Sequence, residues 1–485
     1  MDVFGILMMG FFYLLTFYVG YLAHKKLKEK KDQGEQFMLA SRQLPFLVGL
    51  GTMTATWVGG GYINGTAEAA YKQGLIWTQA PLGYGLSLIL GGIFFAGIMR
   101  KRRYVSLLDP FTERYGEKVT ALLYIPAFLG DLFWSASILA ALGYTVSGVL
   151  NVSYTYSVIV SASVAVMYTL LGGLLAVAYT DLAQLIFIVV GLGIVMPFAI
   201  ESGGGLESLI TQYSSLSFSN GQPFATWTWS DNALLLILGG IPWGVYFQRL
   251  LACPDEHTAK KLSIHAGIVC MIFAIPPALL GMVGAITDWS AFGVQAPEGS
   301  MVLPYIFKYL TPYWIGLLGA SVVAAGVMSS VDSSILSASY MFVWNVLIPF
   351  NKQWSNKITS LTQIATIVMG TFATYLALKV KSVYALWYLC SDFVYVILFP
   401  QLVVVLFVPF AHARGALAGF VVAIALRILF GEESLDISPF FNLVTENTPF
   451  RTFCMLMSLL TIVTVSWKEK EIRDVQGWRL SSKSL

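Results

Sequence analysis

Apolar runs long enough to cross a bilayer recur along almost the whole chain, and no other feature restricts its fold so sharply. A hydrocarbon core about 30 Å thick is crossed by roughly 20 helical residues rising about 1.5 Å each. Thirteen such spans are predicted, over residues 4–23, 45–66, 80–99, 119–148, 155–174, 181–200, 231–251, 263–286, 314–345, 358–378, 382–408, 415–430 and 452–467. With 57% hydrophobic and only 11% charged residues, the chain lies outside the balance of a soluble globular protein. A net charge of +3 does not point to nucleic acid, because the basic residues sit in short clusters between apolar runs.

Those clusters report orientation instead. With the N-terminus outside, the cytoplasmic side collects the basic stretch of loop 24–44, Arg100 to Arg103, Lys260, Lys261 and the tail from Lys468. The positive-inside rule therefore predicts an outside N-terminus and a cytoplasmic C-terminus, as an odd number of spans requires. The first run lacks a basic n-region and reads as a retained span, not a cleaved signal. Cys253, Cys270, Cys390 and Cys454 have no metal-ligand spacing and are expected as free thiols.

Two spans differ from the rest. Thr52 to Glu68, TMTATWVGGGYINGTAE, places three successive glycines among hydroxyl residues, and Ile237 to Leu251, ILGGIPWGVYFQRLL, places Gly239, Gly240, Pro242 and Gly244 in mid-span. Proline removes a backbone donor, and glycine costs about 1 kcal/mol inside a helix, so both are predicted to be discontinuous helices. As the second and seventh spans, each opens a five-span unit, and the odd number inverts one unit relative to the other. Paired interruptions of this kind point to a secondary transporter built from inverted repeats, in which unwound backbone lines a cavity. Close helix packing at small residues is the alternative use of the glycines. The predicted organisation is a first span and loop (1–44), a five-helix repeat (45–200), an extracellular loop (201–230), an inverted repeat (231–408), and two further spans with a short cytoplasmic tail (409–485).

The stretches TMTATWVGGGYINGTAEA, GGIPWGVYFQR, VMSSVDSSILSAS and LWYLCSDFVYVILFPQL resemble the high-affinity choline transporter branch of the sodium:solute symporter family, over about residues 40–430. The resemblance implies an all-α, LeuT-like fold of two inverted five-helix repeats with one extra N-terminal helix. It also implies location in the plasma membrane, sodium coupling and, for that branch, chloride dependence.

A quaternary ammonium donates no conventional hydrogen bond and is held mainly by aromatic faces, tryptophan best of all. Trp57 and Trp243 adjoin the two breaks, and Trp134 and Trp387 also lie inside spans; by resemblance these four match the positions that enclose choline. Tyr62 and Tyr84 are further cage candidates, with packing as their alternative role. Asp131 stands three residues before Trp134 on one helix face. It is expected to strengthen the cavity's negative potential, to accept from the choline hydroxyl, or to bond to the break in a neighbouring helix.

Sodium needs several oxygen ligands, and the segment Gly326 to Ser339 lays Ser330, Ser333, Ser334 and Ser337 along one helix face. By resemblance, carbonyls of Ala55 and Val58 with Ser329 and Ser330 form the principal sodium site. Asp181, Asp332 and Ser333 form a second. The alternatives are serines bonded back to their own helix, and a capping role for Thr180 and Asp181. Asn64-Gly65-Thr66 matches a glycosylation acceptor but lies in the predicted break, and Asn151-Val152-Ser153 sits close to the membrane. Arg427 is expected to snorkel from the end of its span.

These features imply a sodium symporter for choline, with another quaternary ammonium or a zwitterion such as a betaine as the alternative. No catalytic triad, HExxH or nucleotide loop indicates an enzyme. A channel would need a continuous polar pore lining, and a sensor would need a signalling domain that the short tail does not supply. The oligomeric state is left open.

Overall fold

Pro45 holds extended backbone and the first described long helix, α1 (Phe46–Trp57), starts directly after it. The computed structural model describes residues 3–11, 13–14, 18, 38–170, 174–218, 227–379, 383–431, 438–440 and 448–481. Most of the predicted first span, the basic loop up to residue 37 and part of loop 201–230 lie outside the described residues.

The helical path stops where expected. Val58 (φ −82°, ψ 50°) and Gly59 (ψ −177°) leave helical geometry before α2 (Gly60–Lys72) resumes. A Cβ on Gly59 would lie 1.8 Å from the Ser330 hydroxyl, and one on Gly326 would lie 3.1 Å from the Gly60 nitrogen. Glycine on both sides therefore lets the broken backbone touch its neighbour directly.

Four helices follow before the second break. In α3, Ala80–Gly91 passes through a π-helical turn, Gly92–Ala96, into Gly97–Lys101. It is followed by α4 (Glu117–Leu150), α5 (Tyr154–Thr169) and α6 (Leu174–Ser202). The second break then separates α7 (Trp227–Gly239) from α8 (Gly244–Leu251), with Trp243 extended at φ −110°, ψ 134°.

Beyond it come α9 (Glu256–Phe273, continued by Ile275–Ile286), α10 (Tyr313–Phe342, continued by the π-helical turn Val343–Leu347) and α11 (Ile358–Lys379). Next is α12, in which Val383–Phe393 and Phe399–Phe407 flank a third π-helical turn, Val394–Leu398. The series ends with α13 (Ala413–Leu429) and α14 (Phe450–Ser481). Asp255 caps α9, and the Thr258 amide bonded to it holds its carboxyl below the usual range.

No strand occurs among the described residues, and nine helical stretches are long and apolar enough to cross a membrane. Burial is distributed as a bilayer demands. Helices α4 and α10 bury most of their length, whereas α6, α11 and α14 turn most of theirs outward, and outward side chains such as Leu47, Ile364 and Val421 are apolar. Polar groups collect inside, Thr52, Asp181, Ser329, Ser330 and Asp332 all being buried.

Four expectations meet the structure here. The cysteines are free and buried. Asn64 is buried, its amide donating to the Ala141 carbonyl at 2.9 Å, which removes it as an acceptor for sugar. Asp181 is no helix cap, because α6 begins at Leu174 and encloses it. Arg427 does not snorkel: it is buried and donates from Nε and Nη2 to the Asp392 carboxylate at 2.8 and 2.6 Å. Arg451 reaches the same oxygen at 3.2 Å, so one carboxylate of α12 fastens both α13 and α14.

Candidate substrate and ion site

Trp57, Tyr84, Trp134, Trp243 and Trp387 line one cavity. They come from α1, α3, α4, the second break and α12, so elements distant in sequence converge on it. The centroids of Trp57 and Trp134 are 5.8 Å apart, those of Trp134 and Trp243 are 5.2 Å apart, and Tyr84 stacks on Trp387 at 5.3 Å with 25° between planes. Such offset and edge contacts hold the rings as a unit. The cavity has room for roughly one water molecule, so the wall must spread to admit anything larger.

The second break fixes a ring. The Trp243 indole donates to the Gly239 carbonyl at 2.8 Å, which satisfies one group freed by the end of α7 and sets the ring's direction. The Tyr84 hydroxyl is hydrogen-bonded to the Ser391 hydroxyl, joining α3 to α12.

Two other predicted residues stand beside the cavity and do not line it. Tyr62 donates to the Cys270 carbonyl at 2.6 Å and meets Trp387 edge-on at 5.8 Å. Asp131 is buried, and neither of its carboxylate oxygens has a hydrogen-bond partner among the described residues. Tyr246 was not foreseen, yet it packs edge-on against Trp57 at 6.1 Å. Its signal was its position, two residues past the break, in the same segment as Trp243.

Where α10 crosses the first break, hydroxyls and carbonyls meet. Ser329 donates to the Ala55 carbonyl at 3.0 Å and Ser330 to the Thr56 carbonyl at 2.8 Å. Both serines also lie 3.0 Å from the Gly326 carbonyl, so the back-bonding alternative and the cross-helix contact coexist. The Thr56 carbonyl is an addition to the expected set, and Val58 sits at the break itself. Neutral oxygens gathered this way suit a hard monovalent cation.

Asp181, Asp332 and Ser333 also come together, around a residue that sequence reasoning passed over. Arg249 of α8 is fully buried; its guanidinium stands 3.5 Å from Asp181 and donates to the Ser333 hydroxyl at 2.5 Å. Thr52 donates to Asp181 at 2.5 Å, and the Ser333 amide to Asp332 at 2.6 Å. A charged residue inside a span, close after a break, was the available signal.

The same architecture occurs in known transporters. A sodium-coupled sialic acid symporter superposes with a TM-score of 0.79 at 15% identity, covering 95% of this chain and 97% of its own. A transporter of the nucleobase-cation-symport-1 family, in a closed conformation, gives 0.61 at 12% identity, covering 90% and 95%. The shared architecture is the LeuT-like fold. In sequence, the high-affinity choline transporter 1 of Drosophila melanogaster is 45% identical across 97% of this chain and 79% of its own length. The human protein of that name is 44% identical across 96% and 85%. Relatives also include the sodium/pantothenate symporter of Haemophilus influenzae, 24% identical across 89% and 91%. All of these are named as transporters or symporters, none as an enzyme. The profile of the sodium:solute symporter family matches residues 37–423, and the chain belongs to that family, as a multi-pass membrane transporter coupled to sodium.

Proposed function

We propose that this chain imports choline, driven by sodium, across the plasma membrane by alternating access. The observation that carries the reading is the cavity walled by Trp57, Tyr84, Trp134, Trp243 and Trp387, because a desolvated trimethylammonium head is what stacked aromatic faces attract. The choline transporter 1 relatives, at 44 to 45% identity over nearly the whole chain, support the same substrate. A betaine would bring a carboxylate that needs a donor in the wall, and the Trp243 indole, engaged with Gly239, does not supply it.

The ion reading places sodium on the carbonyls of Ala55 and Val58 with Ser329 and Ser330, and a second ion on Asp181, Asp332 and Ser333. Chloride dependence, which the resemblance implies, belongs to the same proposal. Asp131 stays outside the wall in this reading and adds negative potential near it.

Two five-helix units, 45–200 and 231–408, each begin with a broken helix, as alternating access by inverted repeats requires. The clasped end around residues 42, 100 and 253 fits a state closed to that side. At that end Arg42 donates to the carbonyls of Arg103 and Tyr104, and Arg100 donates to those of Cys253 and Pro254. These bonds also bring the segments around residues 100 and 253 to one side, in keeping with a single assignment for both.

Uptake of labelled choline into proteoliposomes should follow an inward sodium gradient and fall to background when potassium replaces sodium. Uptake indifferent to that replacement, or equal competition by betaine and choline, would remove the proposal. Tyr84→Phe keeps the stacked ring and loses the bond to Ser391, worth about 0.5–1.5 kcal/mol, so choline affinity should fall about 2- to 10-fold in a binding assay. No change would leave that hydroxyl without a part in holding the wall.

A further inference from the structure

Two buried carboxylates and one buried guanidinium share the centre of the bundle, and with both acids ionised one negative charge is in excess there. Arg249 belongs to α8, yet its contacts fall on other elements: Nε donates to Thr52 of α1 at 3.3 Å, and Nη2 reaches Ser333 of α10 and Asp181 of α6. Its Nη1 donates to the Val245 carbonyl at 3.2 Å, within its own helix. One oxygen of each acid, Asp181 Oδ1 and Asp332 Oδ2, is buried without a hydrogen-bond partner among the described residues. Burying an unpaired anionic oxygen is costly, and a buried ionic cluster is stable only when its charges balance.

We propose that Arg249 is the tethered counter-cation of the second sodium site, and that it limits this site to one monovalent ion. The inference rests on the reading of Asp181, Asp332 and Ser333 as sodium ligands. The unpartnered oxygens supply the ligands and the excess charge sets the number. The planar guanidinium suits the task because its fork can hold groups on three helices at once while keeping its charge. Arg249 thereby ties the half-helix after the second break to the first broken helix, so sodium occupancy and the relative position of the two repeats are linked.

Charge substitution separates this role from a packing role. Equilibrium binding of radioactive sodium to the purified full chain gives the number of ions bound and the half-saturating concentration. Asp181→Asn removes the excess charge and should raise the half-saturating sodium at this site about tenfold or more, with loss of one bound ion at moderate sodium. Arg249→Gln doubles the excess and should lower it by about tenfold, whereas Arg249→Gln with Asp181→Asn restores the wild-type excess and should recover binding to within about threefold. Arg249→Lys loses the fork but keeps the charge that sets the number of ions, so the number of bound sodium ions should stay as in wild type. A folded double variant that binds sodium no better than Asp181→Asn alone, or a folded Arg249→Lys that behaves like Arg249→Gln, overturns the proposal. If Asp181→Asn and Asp332→Asn each leave the number of bound ions unchanged, the second sodium site itself is absent and the failure lies there, not with Arg249.

Discussion

Asp392→Asn is expected to destabilise the protein by about 3 to 5 kcal/mol, the range found when one partner of a buried ion pair is removed. A single oxygen of Asp392 accepts from Arg427 Nε, Arg427 Nη2 and Arg451 Nε, at 2.8, 2.6 and 3.2 Å, and an amide in its place leaves two guanidinium groups facing a nearly neutral group. The neighbouring carboxylate of Asp231 offers only partial relief, because it is held by the backbone amides of Arg451 and Thr452 and by the Thr452 hydroxyl. The natural comparison is Arg414 with Glu469, an ion pair whose arginine is 74% exposed, for which truncation of Arg414 should cost about 1 kcal/mol or less. Thermal unfolding of the purified variants measures both. Equal midpoints for Asp392→Asn and Arg414→Ala would show that the buried cluster contributes no more than the exposed pair.

Trp57→Leu combined with Trp243→Leu should weaken choline binding by about 30- to 900-fold, each ring contributing on the order of 1 to 2 kcal/mol to a desolvated cation. Leucine keeps apolar bulk and loses the ring quadrupole, so the effect isolates the attraction. Singly, each variant should lose about 5- to 30-fold, with Trp243→Leu at the upper end because it also strands the Gly239 carbonyl. Phenylalanine at either position should retain part of the affinity, its face being weaker. Equilibrium choline binding, alongside unfolding midpoints for the same variants, distinguishes attraction from packing. Leucine and phenylalanine variants that lose affinity equally and in step with stability would reduce the rings to filler, and near wild-type affinity in the double variant would remove the cage altogether.

The backbone plan was legible because lipid permits few solutions. Glycine and proline in mid-span announced both breaks, and the structure places them at Val58–Gly59 and between Gly239 and Gly244, within the stretches expected. The four tryptophans were legible because they lie inside spans and not at their ends, and they line one cavity with Tyr84. Charge partners were not legible. Arg427 looked like a residue at a span's end with water in reach, and only the packing of α13 on α12 shows that Asp392 meets it first. Arg249 likewise lies 68 positions from Asp181 and 84 from Ser333, and periodicity within one helix carries no information about a face contributed by another. The Thr56 carbonyl was missed because which of several adjacent carbonyls opens depends on the turn at which the helix unwinds.

The π-helical turn in α12 has a consequence for how this helix can change over time. An α-helix advances about 100° per residue, and a π-turn accommodates one extra residue, so the segments on its two sides are offset in phase by about that angle. Before the turn, Trp387 and Ser391 answer to the cavity and Asp392 to the two arginines. After it, Gln401 answers to α13, donating to the Ala416 carbonyl at 2.8 Å. An unbroken α-helix would fix these two sets of directions to each other, and any single-residue insertion would re-aim one of them. With the turn present, the half after it can follow α13 through Gln401 without re-aiming Trp387 and Ser391, while Asp392 keeps the half before it tied to both helices of the C-terminal hairpin.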